Sequence, residues 1–370
     1  MLKNYIGILS AIENKQNLRR LAEKRAIASI PLGGKYRVVD FMLSNMSNAG
    51  IKTIGIFTDN NSRSIRDHVG TGRAWDLNRR HGGIFLFSFN RNMNANYDVQ
   101  MIKDNLEFLY QAKEENVVCA PTYMISNMDL EEAVKAHELS KNDITVIYKK
   151  INDGDNNFIN CEYLDLDREE KVVKVSKNTG KERNINICTE IFIMKKELLL
   201  ELIEKCAYID YAYKLKGVVY ENINNYKIGG FEYKGYLSCI NSLLSYYKTN
   251  MDMLSVDITR ELFFNRSNPI YSKSKDSPPT RFFESSVVKN ALIANGCKIK
   301  GKIKDSVISR YSVVEEGAEI ENCIILQNCK IKSGVKIKNV IIDKNVTLEA
   351  GTELRGSEIY PLVIEKEFSL

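Results

Sequence analysis

The chain has 370 residues, 44% of them hydrophobic, and a formal net charge of +6 at pH 7. That length and apolar content suit two domains with substantial cores, and the small positive surplus, spread without a basic stripe, argues against nucleic-acid binding. No apolar run is long enough for a membrane span, MLKNYIGILSAIENK turns charged too early for a secretory leader, and eight cysteines without a CxxC pair fit reduced, buried thiols in a cytoplasmic protein.

In chain order, Tyr5–Ala11 reads as a buried strand, followed by a glycine-free loop, Ile12–Arg20 (IENKQNLRR). Val38–Asn48 reads as a helix with Phe41, Leu43 and Met46 apolar, and Lys52–Phe57 as a second strand. Ile102–Glu114 is amphipathic at helical spacing. Asn116–Ala120 is a third strand, a helix surrounds Leu130–Leu139, and Asp143–Tyr148 is a fourth strand. This alternation predicts an α/β domain with a mostly parallel, Rossmann-type sheet. Ligands of such sheets sit at the carboxyl ends of the strands, so chemistry is expected after Ala11, Phe57 and Ala120. His68, His81 and His137 are scattered without metal-ligand spacing. A further helix is expected over Leu237–Met253. Asn265–Phe283 holds three of the six prolines and many Ser and Lys residues, the composition of a linker. The reading divides the chain into residues 1–262, a linker at 263–284 and a C-terminal domain at 285–370.

A repeat fills the C-terminal part. Ile308, Val314 and Ile320 stand six apart, as do Ile325, Ile331 and Ile337, and Ile342, Leu348 and Leu354; each triplet follows the last by seventeen residues. Gly317, Gly334 and Gly351 share that period, as do Asp305, Asn322 and Asn339. One inward aliphatic residue per short face, grouped in threes, describes a three-sided parallel β-helix, here of the left-handed, hexapeptide-like kind. The glycines suit a corner of positive φ, and Ala291–Ile303 fits as an irregular first coil. No histidine lies beyond residue 137, which argues against an acyltransferase on this helix.

Arg25, Gly33–Arg37 and Asp40–Ile51 (RA…PLGGKYRVVDFMLSNMSNAGI) closely resemble the block after the nucleotide loop of bacterial glucose-1-phosphate adenylyltransferases (ADP-glucose pyrophosphorylases). HVGTGRAWDLNRRHGG (His68–Gly83), YYKTNMDML (Tyr246–Leu254), PIYSKSKDSPPTRF (Pro269–Phe282) and the β-helix are similar to the same family, in the same order. The resemblance implies a nucleotidyltransferase-like N-terminal domain and a reaction joining ATP to glucose 1-phosphate, with backbone N–H groups, cationic side chains and carboxylate-held Mg²⁺ around the phosphates.

Measured against that pattern, the reaction's requirements are missing. The family's GGxGTRL-like loop falls on Ile12–Leu18, which has no glycine, puts Glu13 where a triphosphate would lie and replaces the arginine with Asn17. Lys15, Arg19 and Arg20 could offset this only in part. The GDH-like turn falls on Thr122–Met124, so the first metal carboxylate becomes Tyr123, a phenol with an ordinary pKa of about 10. Asp129, in the surviving NMD, reads as a helix N-terminal acid. The second metal carboxylate becomes Leu244, and the GTADAV-like segment becomes YDVQMI, Tyr97–Ile102. The sugar-phosphate lysine is not assigned; Lys174, Lys177 and Lys181 lie nearby. The resemblance thus implies no catalytic residues and no metal or other cofactor on this chain, with Mg²⁺ held by a catalytic partner subunit.

The GGKYR block is kept. In the family, cations here lie near an effector site between the catalytic domain and the β-helix, so Lys24, Arg25, Lys35 and Arg37 are the effector- or phosphate-binding candidates, while solvated cations or subunit salt bridges remain the plain alternative. The family's other effector lysine is Ile27 here. The expectation is a regulatory, catalytically deficient subunit, like the D-type subunit of bacterial glycogen synthesis, paired with a catalytic paralogue in a heterotetramer and responding to a phosphorylated metabolite or AMP. The alternatives are an active adenylyltransferase with a divergent site, and a non-catalytic sugar-phosphate or nucleotide sensor or scaffold.

Overall fold

The computed structural model describes residues 1–366 apart from 14, 19, 24, 60–61, 79–81, 89–97 and 207–213 and the side chain of Arg20. Among these residues the strand–helix alternation builds a nine-stranded sheet. Its strands are Tyr5–Ala11 (β1), Thr53–Thr58 (β2), Gly83–Ser88 (β3), Asn116–Pro121 (β4), Ile144–Ile151 (β5), Glu162–Leu166 (β6), Val172–Lys177 (β7), Ile185–Lys195 (β8) and Ile228–Glu232 (β9). The order is β7-β6-β8-β4-β1-β2-β3, with β5 on β8 and β9 on β5. The stretch β4-β1-β2-β3 is parallel, whereas β8 runs antiparallel to both β4 and β5.

The side-chain alternation of β1 shows why both faces are covered. Tyr5, Leu9 and Ala11 enter one core with Val39, Met42, Leu43 and Met46 of the helix Val38–Asn48 (α1). Ile6 and Ile8 enter another with Leu109, Leu199, Leu202 and Ile203. A strand buried on both faces reads as an almost continuous apolar run, as YIGILSA does. Asp40, in the first turn of α1, accepts the Arg37 N–H at 2.9 Å, satisfying one of the free donors at that terminus.

Two helix expectations change. The segment expected to be one helix over Ile102–Glu114 is two, Asp98–Asp104 (α2) and Leu106–Gln111 (α3), broken at Asn105, whose side-chain amide donates to the Met101 carbonyl at 2.8 Å. The helix expected over Leu237–Met253 begins only at Leu243 (Leu243–Asp252). Ser238–Cys239 pairs instead with Met124–Ile125, and Ser242 caps the shortened helix through the Ser245 N–H at 3.1 Å. No helix among the described residues is long and apolar enough to cross a membrane.

Residues 281–364 wind into a parallel β-helix. Three ladders form its faces: one through Val313–Val314, Lys330–Ile331 and Thr347–Leu348, one through Lys302–Lys304, Glu319–Glu321, Lys336–Lys338 and Glu353–Arg355, and one through Val307–Ile308, Ile324–Ile325 and Ile341–Ile342. The seventeen-residue step appears directly in pairs such as Val314↔Ile331 and Ile320↔Ile337. The repeat's aliphatics fill the interior, Leu354 only partly buried. Gly317, Gly334 and Gly351 turn one corner at φ 75°, 71° and 78°. A second corner uses Asp305, Asn322 and Asn339, and a third Tyr311, Asn328 and Asn345, all at positive φ; Asn and Asp tolerate this region better than most residues. The irregular first coil is one of register: Val287 pairs with Lys302, a step of fifteen. An earlier rung starts at Arg281–Phe282.

The β-helix lies on the N-terminal domain through a shared core. Leu18, Leu21, Ile27, Phe41 and Tyr246 pack in one cluster with Ile324, Leu326 and Ile341, and the Tyr247 hydroxyl donates to the Asn322 carbonyl at 2.8 Å. The hairpin Pro31–Leu32/Tyr36–Arg37 reaches the same seam. At its tip Gly34 has φ 79°, and a Cβ there would stand 3.3 Å from the Ile308 carbonyl, so both backbone conformation and proximity favour glycine.

Candidate functional site

The loops after β1, β2 and β4 converge as the sheet topology requires. Glu13 turns inward: it is 8% exposed, Oε1 accepts the Thr122 hydroxyl at 2.6 Å, and Oε2 is buried with no hydrogen-bond partner among the described residues. Burial pushes its carboxyl up to about 7, against the pull of Thr122, Lys214 and Lys15. Glu13 is therefore a space-filling acid that titrates near neutrality rather than a solvent-facing carboxylate. Lys15, one of the cations that could have compensated, is ion-paired with Asp59.

Tyr123 donates its hydroxyl to Glu190, and Lys216 bridges Glu190 at 2.7 Å and Glu162 at 2.8 Å. Burial raises the Glu190 carboxyl and Lys216 reverses this only in part; burial also opposes the Lys216 charge, but Glu190 and Glu162 more than offset it. Glu190 sits at φ 58°, at the irregularity in β8 between Cys188 and Phe192. A glutamate in the left-handed region is strained, and its three-way contact holds it there. Asp98, at the start of α2, accepts the Ser10 hydroxyl at 2.8 Å and the Leu215 N–H at 2.7 Å. The short helix Leu215–Glu221 is thereby fastened over the sheet's carboxyl edge.

These contacts divide the region in two. An inner pocket lined by Ser10, Glu13, Asp98, Tyr123, Glu190 and Lys216 keeps only about 30 Å³ of free space. An outer cleft of about 840 Å³, lined among others by Asn17, Asn160, Cys239, Leu244 and Tyr360, stays open. The four divergent positions fall on these two spaces, Glu13 and Tyr123 on the inner, Asn17 and Leu244 on the outer. The residues present do not fit Mg²⁺. Tyr123 and Leu244 supply no carboxylate pair, Asp98 and Glu190 are committed to internal partners, and no group of three metal-ligating side chains occurs among the described residues. Asp129 caps the helix Leu130–Ser140 by accepting the Glu131 N–H at 2.9 Å. Lys174 and Lys177 are exposed on the edge strand β7. His68 is bonded to Asp40 and His137 to Thr145; His81 lies outside the described residues.

A second site lies at the seam with the β-helix. Arg25 binds Asp343 and donates to the Leu21 carbonyl at 2.7 Å. Arg37 donates to the Ser64 carbonyl at 2.6 Å and hydroxyl at 2.9 Å. Lys35 stands 4.9 Å from the centre of the Tyr36 ring. Lys24 lies outside the described residues. The structure adds Lys275, Arg310 and Lys344. Burial, then the charges of Arg37 and Arg25, pushes the Lys344 ammonium down to about 7. Burial and Arg310 likewise lower Lys35 and Lys275. Mutual depression of this kind marks cations gathered without enough anions. The carboxylates that bear on them are few: Asp40 and Asp67 on Arg37, Asp40 on Arg310, and Asp343 on Arg25 and Lys344. What the arrangement can do chemically is hold an anion.

Two family models match the chain, Nucleotidyl transferase over residues 16–157 and GlmU-like, C-terminal hexapeptide over residues 278–358. The glycogen biosynthesis protein GlgD of Bacillus subtilis (strain 168) is 30% identical over 366 residues, 98% of this chain and 95% of that protein. The chain belongs to the GlgD-type and glucose-1-phosphate adenylyltransferase family. The GlgD of Geobacillus stearothermophilus is 31% identical, covering 86% of this chain and 84% of that protein. The glucose-1-phosphate adenylyltransferase of Clostridium novyi (strain NT) is 27% identical, covering 85% and 83%. In this family member, sequence reasoning missed Asp98, Glu190 and Lys216 around the inner pocket and Lys275, Arg310, Asp343 and Lys344 at the seam. Asp98 was visible as an acid in YDVQMI. Glu190 and Lys216 lie in ordinary-looking apolar segments and carry no local signal.

Proposed function

We propose that this chain is a regulatory, catalytically deficient subunit of glucose-1-phosphate adenylyltransferase in glycogen biosynthesis, acting in the cytoplasm. The observation that carries the reading is the inner pocket. Glu13, Asp98, Tyr123, Glu190 and Lys216 crowd the carboxyl edge of the sheet, where a triphosphate would need backbone donors and a bound divalent cation. Loss of one oriented group commonly lowers a rate by about 10²–10³, and several are missing at once. The chain therefore binds no cofactor of its own. Its partner is a catalytic paralogue carrying Mg²⁺, assembled with it in a heterotetramer.

The seam cluster is where such a subunit contributes. Arg25, Lys35 and Arg37, joined by Lys275, Arg310 and Lys344, receive a phosphorylated metabolite or AMP between the two domains, and the state of that contact reaches the partner. The names of the two GlgD relatives support glycogen biosynthesis as the setting.

The test is a turnover assay with Mg²⁺-ATP and glucose 1-phosphate on the chain alone, the catalytic paralogue alone, and the two mixed. No pyrophosphate release is expected from the chain alone, and altered kinetics or effector response from the mixture. Substantial release by the chain alone would restore the divergent-enzyme reading. A paralogue unaffected by the chain would remove the regulatory one.

A further inference from the structure

All eight cysteines are free and buried, but two of them touch. The Cys161 thiol points at Cys239 Sγ across 3.3 Å, and the residues are 3% and 4% exposed. No other cysteine hydrogen-bonds a second thiol among the described residues. The two lie on separate pieces of chain: Cys161 ends the loop before β6, and Cys239 lies in the two-residue strand against Met124–Ile125. A disulfide needs sulfurs about 2.05 Å apart, so bonding requires about 1 Å of approach.

We propose that Cys161 and Cys239 form an oxidation site, a thiol pair that closes to a disulfide behind the outer cleft when the chain meets a peroxide. Cys239 lines that cleft and Cys161 does not, which sets the order of events. The Cys239 sulfur attacks one peroxide oxygen, the O–O bond breaks, and the departing hydroxide leaves as water with the thiol proton. Cys239 is now a sulfenic acid. The Cys161 sulfur then attacks Cys239 Sγ, the S–O bond breaks, and the second hydroxide leaves as water with the Cys161 proton. Two thiols and one hydrogen peroxide give one disulfide and two waters.

Burial, then the Cys161 contact, holds the Cys239 thiol well above its usual range, and the nearby Lys216 charge reverses this only in part, so its attack on peroxide runs through a small thiolate fraction. The Asn241 amide lies 3.5 Å from Cys161 Sγ as a donor. The bond would tie the loop before β6 to the segment carrying Leu237–Ser245. These are two walls of the outer cleft, so oxidation fixes its width. The site is independent of the cation cluster at the seam.

The experiment treats the intact chain with hydrogen peroxide under native conditions and maps its peptides without reduction. A linked Cys161–Cys239 peptide is expected, lighter by two hydrogens than its reduced parts and released by dithiothreitol, together with a thermal transition several degrees higher for the oxidised chain. In C161S, dimedone should trap a sulfenic acid on Cys239. The proposal is overturned if both thiols alkylate fully when the peroxide-treated wild-type chain is unfolded, or if Cys239 couples to a different cysteine. The wild-type map decides the matter even if the variant fails to fold.

Discussion

Glu13 acts by volume and titration together, and Glu13→Gln separates them. Its folded carboxyl titrates at about 7, above the usual 4.5, so between those values the folded chain holds a proton that the unfolded chain has released. Stability therefore falls as pH rises from 4.5 to about 7 and stays lower above it. Glutamine keeps the shape and an acceptor for Thr122 but has no charge to bury. Thermal melts should show Glu13→Gln several degrees more stable than wild type at pH 8 and nearly equal at pH 4. Lys216 makes the opposite case. It is the cation between Glu162 and Glu190, and Lys216→Met strands two partly buried carboxylates. A loss of about 3 kcal/mol is expected from urea unfolding, with Glu190→Gln added to Lys216→Met recovering part of it. The sequence displayed the absence of glycine at Ile12–Leu18 plainly, because a missing residue type is a local fact. It could not display Lys216 against Glu190, because residues 26 positions apart meet only through the path of β8 and the helix after it.

The β-helix coil is the element whose energetics follow most directly from its spelling. Ile325 is fully buried within the stack, and Ile325→Ala should cost about 2–5 kcal/mol through lost contact and the cavity left behind. Gly334 differs. A Cβ there would have no neighbour closer than 3.9 Å, so Gly334→Ala meets only the strain of φ 71°, about 1–2 kcal/mol. Chemical denaturation of the two variants should rank them in that order, and equal losses would contradict this account of the corner. The outer columns add little: Lys304, Glu321 and Lys338 pair at 2.9 and 3.1 Å, but such exposed pairs are worth well under about 1 kcal/mol. Strand and helix bounds were legible where periodicity is strong, as in Tyr5–Ala11 and Val38–Asn48. They were not over 162–177, where β6 and β7 carry charged residues at exposed or half-buried positions and blur the alternation. Nor were they at Leu237, where an apolar start continued a helical pattern although Ser238–Cys239 had a strand partner far off in sequence.

At the scale of the molecule, the seam decides how the two domains share charge. An anion bound there favours the charged form of Lys344, whose folded pKa of about 7 leaves it mostly neutral at higher pH. The groups facing it are Arg37, Arg25, Asp343 and Lys275. Anion binding thus takes up a proton, and affinity should fall as pH rises above about 7, by up to about tenfold per unit. Calorimetry with sulfate, which does not titrate in this range, would measure the slope from pH 7 to 9. Lys344→Gln should flatten it and weaken binding at pH 7, while an unchanged slope would assign the proton to another group. The sequence by itself determined the parallel β-helix, the Rossmann-type sheet and the absence of glycine from Ile12–Leu18. Each of these is written in local spacing or residue type: period seventeen, alternation of strand and helix, glycine or its absence. Only the tertiary structure decided that a lysine closes the inner pocket while an outer cleft survives, and that Arg310 and Lys344 join Arg25, Lys35 and Arg37. Those groupings depend on which segments the chain brings face to face, and burial and charge act through space, without regard to distance along the sequence.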